Sequence, residues 1–379
     1  MYKAYCCLIL ALLCGFVLSC SSAKKKSASA WHISLDEERE ISLFDIFSQV
    51  EIIPLETADN IVMGEPVIEM RVHNGQYYFM CGKQESIWHF DRDGTFLQEI
   101  NHYGNGPGEY TNLTDFRFNR FSGNLEILSA MGYMNVYNDS GNVFKKSFSF
   151  IQSDIKSVYN FIELSPTLYL LFSDAREGNK MVWYDVEADR IVAENYDLPK
   201  YLFFHTPYHH SFTPFYCFQD TVHFVQAYDG EVFTVDSKGS LVPKYQFDFG
   251  EYTFDISDLK EESVQYYVIH ARTKGAKYAN RFIVYGENSN YYITRFKFHN
   301  RLYHLFLNKK TGKTYIFKRF KEDCLCFPLY MDEQCLYFVA TPQELNMVIN
   351  RSILSEDDKR KYEDISPYNN PIVIKYTFK

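Results

Sequence analysis

A short hydrophobic strand, an Asp or Asn, two or three polar residues, usually a Gly, then another strand: this unit recurs through most of the chain. Its anchors are Asp91, Asn138, Asp185, Asp236 and Asn308, at steps of 47, 47, 51 and 72 residues. Short side chains such as Asp and Asn cap tight turns, and glycine takes the positive φ that such turns need. Asp185 carries Ala188 where the others have Gly, so the third repeat is the weakest match. Three near-equal intervals of this size suit a unit of about four strands that cannot bury its faces alone and must stack on copies of itself.

Each anchor would close the outer hairpin of one unit, and an inner hairpin precedes it. Val67 to His73 and Gln76 to Met80 flank Asn74-Gly75, a strong hairpin signal. Asp115 to Phe118 pairs with Leu125 to Leu128, Phe161 to Leu164 with Leu168 to Phe172, and Phe215 to Phe218 with Val222 to Gln226. A fifth unit continues through Tyr291 to Phe298, Leu302 to Leu307 and Lys313 to Phe320. The long step before it holds residues 257–278, rich in Glu, Lys and Ala, read as a helical insertion. Cys324 to Tyr330 and Cys335 to Ala340 start a sixth unit. A polar helical stretch over 342–364 and a last strand, Pro371 to Phe378, follow. That unit is one strand short, and the apolar, β-rich Val50 to Leu55 can supply it, closing a ring without a long free edge. The expectation is an all-β, six-bladed β-propeller with four-stranded blades. It forms one domain over 41–379.

The first residues have a different character. Lys3 and the apolar run Ala4 to Leu18, too short to span a bilayer comfortably, read as a signal peptide over 1–19. The run ends in Val17-Leu18-Ser19-Cys20, a lipobox pattern that makes Cys20 the expected lipidation site. Residues 20–40, with Lys24-Lys25-Lys26, read as a flexible tether. Once Lys3 leaves, 38 basic and 48 acidic residues remain, a net charge of −10, which argues against nucleic-acid binding. Cys81, Cys217, Cys324, Cys326 and Cys335 are left beside the anchor. An odd number gives no disulfide framework. The aromatic content of 18%, with 31 Tyr and 33 Phe, fits half-buried pleated surfaces.

Candidate chemistry is sparse. Gly104-Asn105-Gly106-Pro107-Gly108-Glu109-Tyr110 lacks the Gly-Lys-Ser/Thr ending of a phosphate loop and fits a crossover between the first two units. Glu109 and Tyr110 remain as candidate contacts at the axial mouth. Asp115 and Arg117 alternate on an innermost strand and form the best channel-lining pair; an inter-blade salt bridge is the alternative. His205, His209 and His210 lack a converging carboxylate, and Cys324-Leu325-Cys326 offers two thiols only, so no metal is expected. Nucleophile-elbow and zinc-helix motifs are missing, which leaves an enzyme as the lesser expectation, with no cofactor. Tyr133, Tyr208 and Tyr228 are candidates for stacking on sugar rings.

The Gly-Pro-Gly-Glu-Tyr loop, followed by strands and Asn138-Asp139-Ser140-Gly141, resembles an NHL-type propeller repeat. With Ile53-Pro54-Leu55-Glu56-Thr57 and the terminal Asn370-Pro371-Ile372-Val373, the chain also resembles the six-bladed β-propeller lipoproteins of Bacteroidetes. The resemblance implies the fold and a place in the bacterial cell envelope. In those bacteria an acidic run after the cysteine accompanies surface display. Its absence here points to the periplasmic side of the outer membrane. Similarity to NHL-like and TolB-like propellers implies binding. The expected function is a membrane-anchored, non-catalytic, monomeric propeller that engages a protein partner or a glycan at its axial face. The alternative is a glycan hydrolase or lyase working in the central channel.

Overall fold

The computed structural model describes residues 29–35, 40–64, 66–82, 84–129, 131–151, 155, 158–173, 179–197, 213–228, 230–254 and 277–379. Its first strand, β1 (Ser29–His32), and second, β2 (Phe47–Pro54), belong to blades built mostly from later sequence. The first blade is β3 (Val67–His73), β4 (Gln76–Cys81), β5 (Ile87–Phe90) and β6 (Phe96–Ile100). The second is β7 (Leu113–Phe118), β8 (Leu125–Ser129), β9 (Tyr133–Tyr137) and β10 (Phe144–Ser149). The third is β11 (Asn160–Glu163), β12 (Leu168–Phe172), β13 (Asn179–Asp185) and β14 (Arg190–Asp197). Next come β15 (Phe215–Phe218), β16 (Thr221–Val225), β17 (Val232–Val235) and β18 (Leu241–Asp248). The fifth blade is β19 (Asn280–Glu287), β20 (Tyr291–Phe298), β21 (Arg301–Asn308) and β22 (Thr314–Phe317). The sixth takes β23 (Pro328–Met331), β24 (Cys335–Ala340) and β25 (Ile372–Phe378), with β2 antiparallel to β25 as its outermost strand.

This is the six-bladed propeller expected from the repeats. The anchors behave as their chemistry requires. The Asp91 Oδ1 accepts from the amides of Asp93 and Thr95, and the Asn138 Oδ1 from those of Asn142 and Val143. Asp185, Asp236 and Asn308 each repeat the arrangement on two amides of their own turns. The sixth blade has no such anchor because its outer pair, β25 and β2, joins opposite ends of the chain. Asn74 and Gly75 both take positive φ, 51° and 75°, as a two-residue hairpin demands.

Strands alternate their side chains between two faces, so each blade offers two apolar faces and needs a neighbour on both. Six buried clusters meet that need, one at each junction. Tyr78, Ile100, Phe116 and Ile127 join the first two blades; Leu128, Met134, Phe161 and Val182 the next two; Phe172, Trp183, Phe215 and Phe224 the following pair. Val232, Phe247, Phe282 and Phe296 join blades four and five, Phe306, Ile52 and Tyr376 blades five and six, and Val373, Tyr337, Phe79 and Trp88 blades six and one. The Tyr and Phe excess is spent mainly here. The last junction closes the ring.

Three expectations need correction. The fifth blade has an innermost strand, β19, that the hydrophobic pattern did not single out; Arg281 at φ 55° and register shifts against β20 interrupt its alternation. Ser29–His32, placed in the tether, is a strand that pairs in parallel with β18 in register Ser29 to Tyr245. Ile33 continues it, donating to the Asp248 carbonyl at 2.8 Å. Tyr228, read as exposed, is buried at 1% exposure. The insertion over 257–278 lies almost wholly outside the described residues, as do Cys20, His205 to His210 and Tyr208. The polar stretch 342–364 contains α1 (Leu345–Val348) and α2 (Glu356–Glu363), the latter N-capped by Ser355.

Candidate functional site

The six innermost strands converge on the axis and line a cavity of about 300 Å³. Its wall includes His73, Glu163, Glu287 and Met331, the last residues of β3, β11, β19 and β23, and Arg120 just beyond β7. The cavity therefore reaches the end of the ring that carries the inner hairpin turns.

Charged side chains on blades one to three dominate one side. Arg71 pairs with Glu69 on its own strand and lies 3.5 Å from Asp115 on β7. Arg117 Nε lies 3.5 Å from the other Asp115 oxygen, and its Nη2 donates to the Thr213 hydroxyl at 3.0 Å. Asp115 is fully buried, and its Oδ2 also accepts the Phe161 amide at 3.2 Å, so one carboxylate ties three blades together. Arg120 donates to the Glu163 carbonyl and reaches the Cys217 thiol at 3.0 Å. Burial pushes the Glu69 carboxyl up to about 8 against the pull of Arg71, with Asp115 adding to the rise. Behind the wall, burial and the Glu163 charge push Glu126 to about 8; it accepts from Tyr169 at 2.7 Å and Asn119 at 2.8 Å. Burial raises Glu163 as well.

The opposite side is quieter. Glu287 is bonded by Lys244 at 2.7 Å, Lys309 at 2.8 Å, Tyr216 at 2.7 Å and Tyr245 at 3.0 Å. Burial opposes ionisation there, but these partners outweigh it and hold the carboxyl below its ordinary value. Among the described residues two buried polar atoms on residues of the cavity wall, Arg71 Nε and Asn160 Oδ1, have no hydrogen-bond partner. Such atoms each cost roughly 1–3 kcal/mol when left unmatched.

The four residues singled out from the sequence separate into two pairs. Arg117 lines the cavity and Asp115 braces it from behind; the two pair within one strand, and the inter-blade ion pair is the one Asp115 makes with Arg71. Glu109 and Tyr110 lie away from the axial wall. The Glu109 carboxylate accepts the Gly106 amide at 2.7 Å and closes its own loop. Tyr110 is 2% exposed in the core between the first two blades, its hydroxyl donating to the Glu85 carbonyl at 2.9 Å. The loop is a crossover from β6 to β7, and its glycines make room. A Cβ on Gly108, at φ 78°, would meet the Phe144 ring at 2.7 Å. Glu69, Arg71 and Glu163 were not anticipated, yet a signal for two of them exists. Glu69-Met70-Arg71 repeats as Asp115-Phe116-Arg117, an acid-x-Arg pattern offset by 46 residues, close to the anchor spacing. Cys324 and Cys326 are both buried core residues with free thiols. Among the described residues no three His, Cys, Asp or Glu are placed to hold a metal ion.

Fold and site together define a six-bladed β-propeller with a charged, polar axial cavity. The chain belongs to the family described as Domain of unknown function (DUF4934), which it matches over residues 29–377. It is similar to the crystal structure of a Bacteroides fragilis protein named as a candidate exported protein. The TM-score is 0.74 at 15% identity, covering 93% of this chain and 100% of the other. A member of the DUF4221 family from Bacteroides vulgatus is similar with a TM-score of 0.51 at 11% identity, covering 90% and 99%. At such identities the likeness is one of fold. Among curated proteins no match is found.

Proposed function

We propose that the protein is a non-catalytic binding propeller whose axial cavity receives a polar group of a glycan or protein partner. The axial cavity carries this reading, because all six blades contribute to one concave space of about 300 Å³ whose lining includes Arg71, Arg117, Arg120 and Glu163 as polar groups for a ligand. The Val17-Leu18-Ser19-Cys20 pattern supports a lipid anchor at Cys20, the candidate exported relative supports export to the cell envelope, and the lack of an acidic run just after Cys20 favours the periplasmic side. The reading takes the protein as a monomer. Capture of partners from native membranes tests it. A Met331→Trp variant, filling the cavity while retaining the wild-type melting temperature, is expected to lose the captured glycan or protein. Capture of the same set by both would refute the axial site. Radiolabelled palmitate should enter the wild type and not Cys20→Ala.

A second reading, glycan hydrolysis in the channel, has one observation in its favour. Glu69 holds a proton at neutral pH beside the Asp115 carboxylate, an acid next to a base. It requires turnover of a glycan panel that Glu69→Gln abolishes. Binding without turnover decides for the first reading.

A further inference from the structure

We propose that the axial cavity binds a carboxylate, carried on a group the size of one sugar ring or one amino acid. This rests on the axial binding reading above and names the chemistry of its ligand. Three guanidiniums, those of Arg71, Arg117 and Arg120, line one side of the cavity. They stand in series through two carboxyls. Asp115 lies between Arg71 and Arg117, 3.5 Å from each, and Glu163 attracts both Arg117 and Arg120, the latter at 3.9 Å. The three arginine side chains keep 15%, 13% and 24% of their surface exposed, whereas Asp115 and Glu163 keep 0% and 1%. The cavity therefore meets the cations, and the carboxyls that hold them lie behind.

Those carboxyls do not balance the guanidiniums. Glu69, which also lines the cavity, is hydrogen-bonded to Asp115, and Glu163 is hydrogen-bonded to Glu126. An ionised carboxylate only accepts, so each such pair holds a proton between its members and carries a single negative charge. Burial, which raises Glu69 and Glu126 to about 8, keeps these protons in place at neutral pH. Three guanidiniums then face two carboxylate charges. His73, lowered by burial, adds no charge at neutral pH. Across the cavity the excess has the same sign, because the one carboxylate of Glu287 is held by two ammoniums, Lys244 and Lys309. A chain of net charge −9 thus encloses a cationic axis.

An ammonium would enter against an excess of its own sign, and a neutral group would leave that excess uncompensated. A monoanion matches the single unbalanced charge on the arginine side, and a phosphate dianion exceeds it. The guanidinium is a planar fork that meets the two oxygens of a carboxylate together. Ile68, Phe118, Phe215 and Leu329 of the same wall offer apolar cover for the body of the ligand. A cavity of about 300 Å³ stands at the lower end of the roughly 300–1,000 Å³ typical of small-molecule sites, enough for one ring or one side chain.

The test uses calorimetry on the full chain carrying Cys20→Ala. One arm holds the methyl glycosides of glucuronate and galacturonate, the other N-acetylglycine and N-acetylalanine, which separates sugar from amino-acid sources of the carboxylate. The methyl ester of each acid, glucosamine and inorganic phosphate serve as comparisons. The expected result is that acids of at least one arm bind, and that esters, glucosamine and phosphate bind about tenfold or more weakly. Arg120→Gln should weaken the acids about ten- to hundredfold, and Met331→Trp should abolish their binding, both variants remaining folded by circular dichroism. The comparison of acid with ester needs no variant. Esters or glucosamine binding as tightly as the acids, and lost in Met331→Trp, would overturn the anionic class while leaving the axial site standing. Binding of phosphate alone would overturn the carboxylate. Acid binding unchanged in both variants would place the carboxylate elsewhere and overturn the inference. If no compound binds, the inference falls, whereas the axial reading is decided separately by capture from native membranes with Met331→Trp.

Discussion

Asp115 shows how much one side chain can hold. It is fully buried, and its two oxygens meet Arg71 of the first blade, Arg117 of its own strand and the Phe161 amide of the third. Asp115→Ala would leave two guanidiniums buried beside an apolar methyl. Urea titration should show a loss of about 3–5 kcal/mol, with Asp115→Asn losing less because the amide oxygen can still accept. Glu69 makes a separate prediction. Its folded carboxyl is raised from 4.5 to about 8, so the folded state retains a proton that the unfolded chain has released. Stability then falls as pH rises from about 4.5 to about 8 and levels off above that window. Glu69→Gln should flatten part of this slope in melting temperatures measured across pH. Asp115 and Arg117 were legible as an alternating pair on an inner strand. Glu163 was not, because nothing local distinguishes a strand-end glutamate at the axis from one in solvent.

Turns and crossovers are where sequence and structure agree most closely. An Asp or Asn that caps two amides of its own turn needs no distant partner, so its role is readable locally. Asn138→Ala removes acceptors for the amides of Asn142 and Val143 and should cost about 1–2 kcal/mol, measured by chemical denaturation. Gly108→Ala combines a left-handed φ of 78° with a clash on Phe144 and should lower stability by about 1–3 kcal/mol. Where the pattern failed, a distant partner was responsible. Tyr110 looked available for contacts, but it is buried with its hydroxyl donating to the Glu85 carbonyl, 25 residues away. Ser29–His32 reads as a polar tether because its strand conformation depends on the free edge of β18, more than two hundred residues away.

At the scale of the whole molecule, stability depends on closure. Six apolar junctions form one continuous ring, and the junction between blades five and six contains β2, from the N-terminal part, against β25 at the other end. Ile52 is fully buried there. Ile52→Ala should cost about 2–5 kcal/mol. Removal of residues 41–55 should expose the edge of β25 and give an associating species in size-exclusion chromatography instead of the wild-type species.

The repeat, its turns and the partner strand for the last blade follow from the sequence alone, because periodic burial and turn chemistry are local properties with a fixed spacing. The axial cavity does not. Its wall is assembled from strands up to about 260 residues apart, Glu69 to Met331, and only the closed ring brings their charges within reach of one another. Burial then shifts the Glu69 and Glu126 carboxyls. Those are properties of three-dimensional neighbourhood. The chain determines that it is a propeller, and the closing of that propeller decides what its axis can bind.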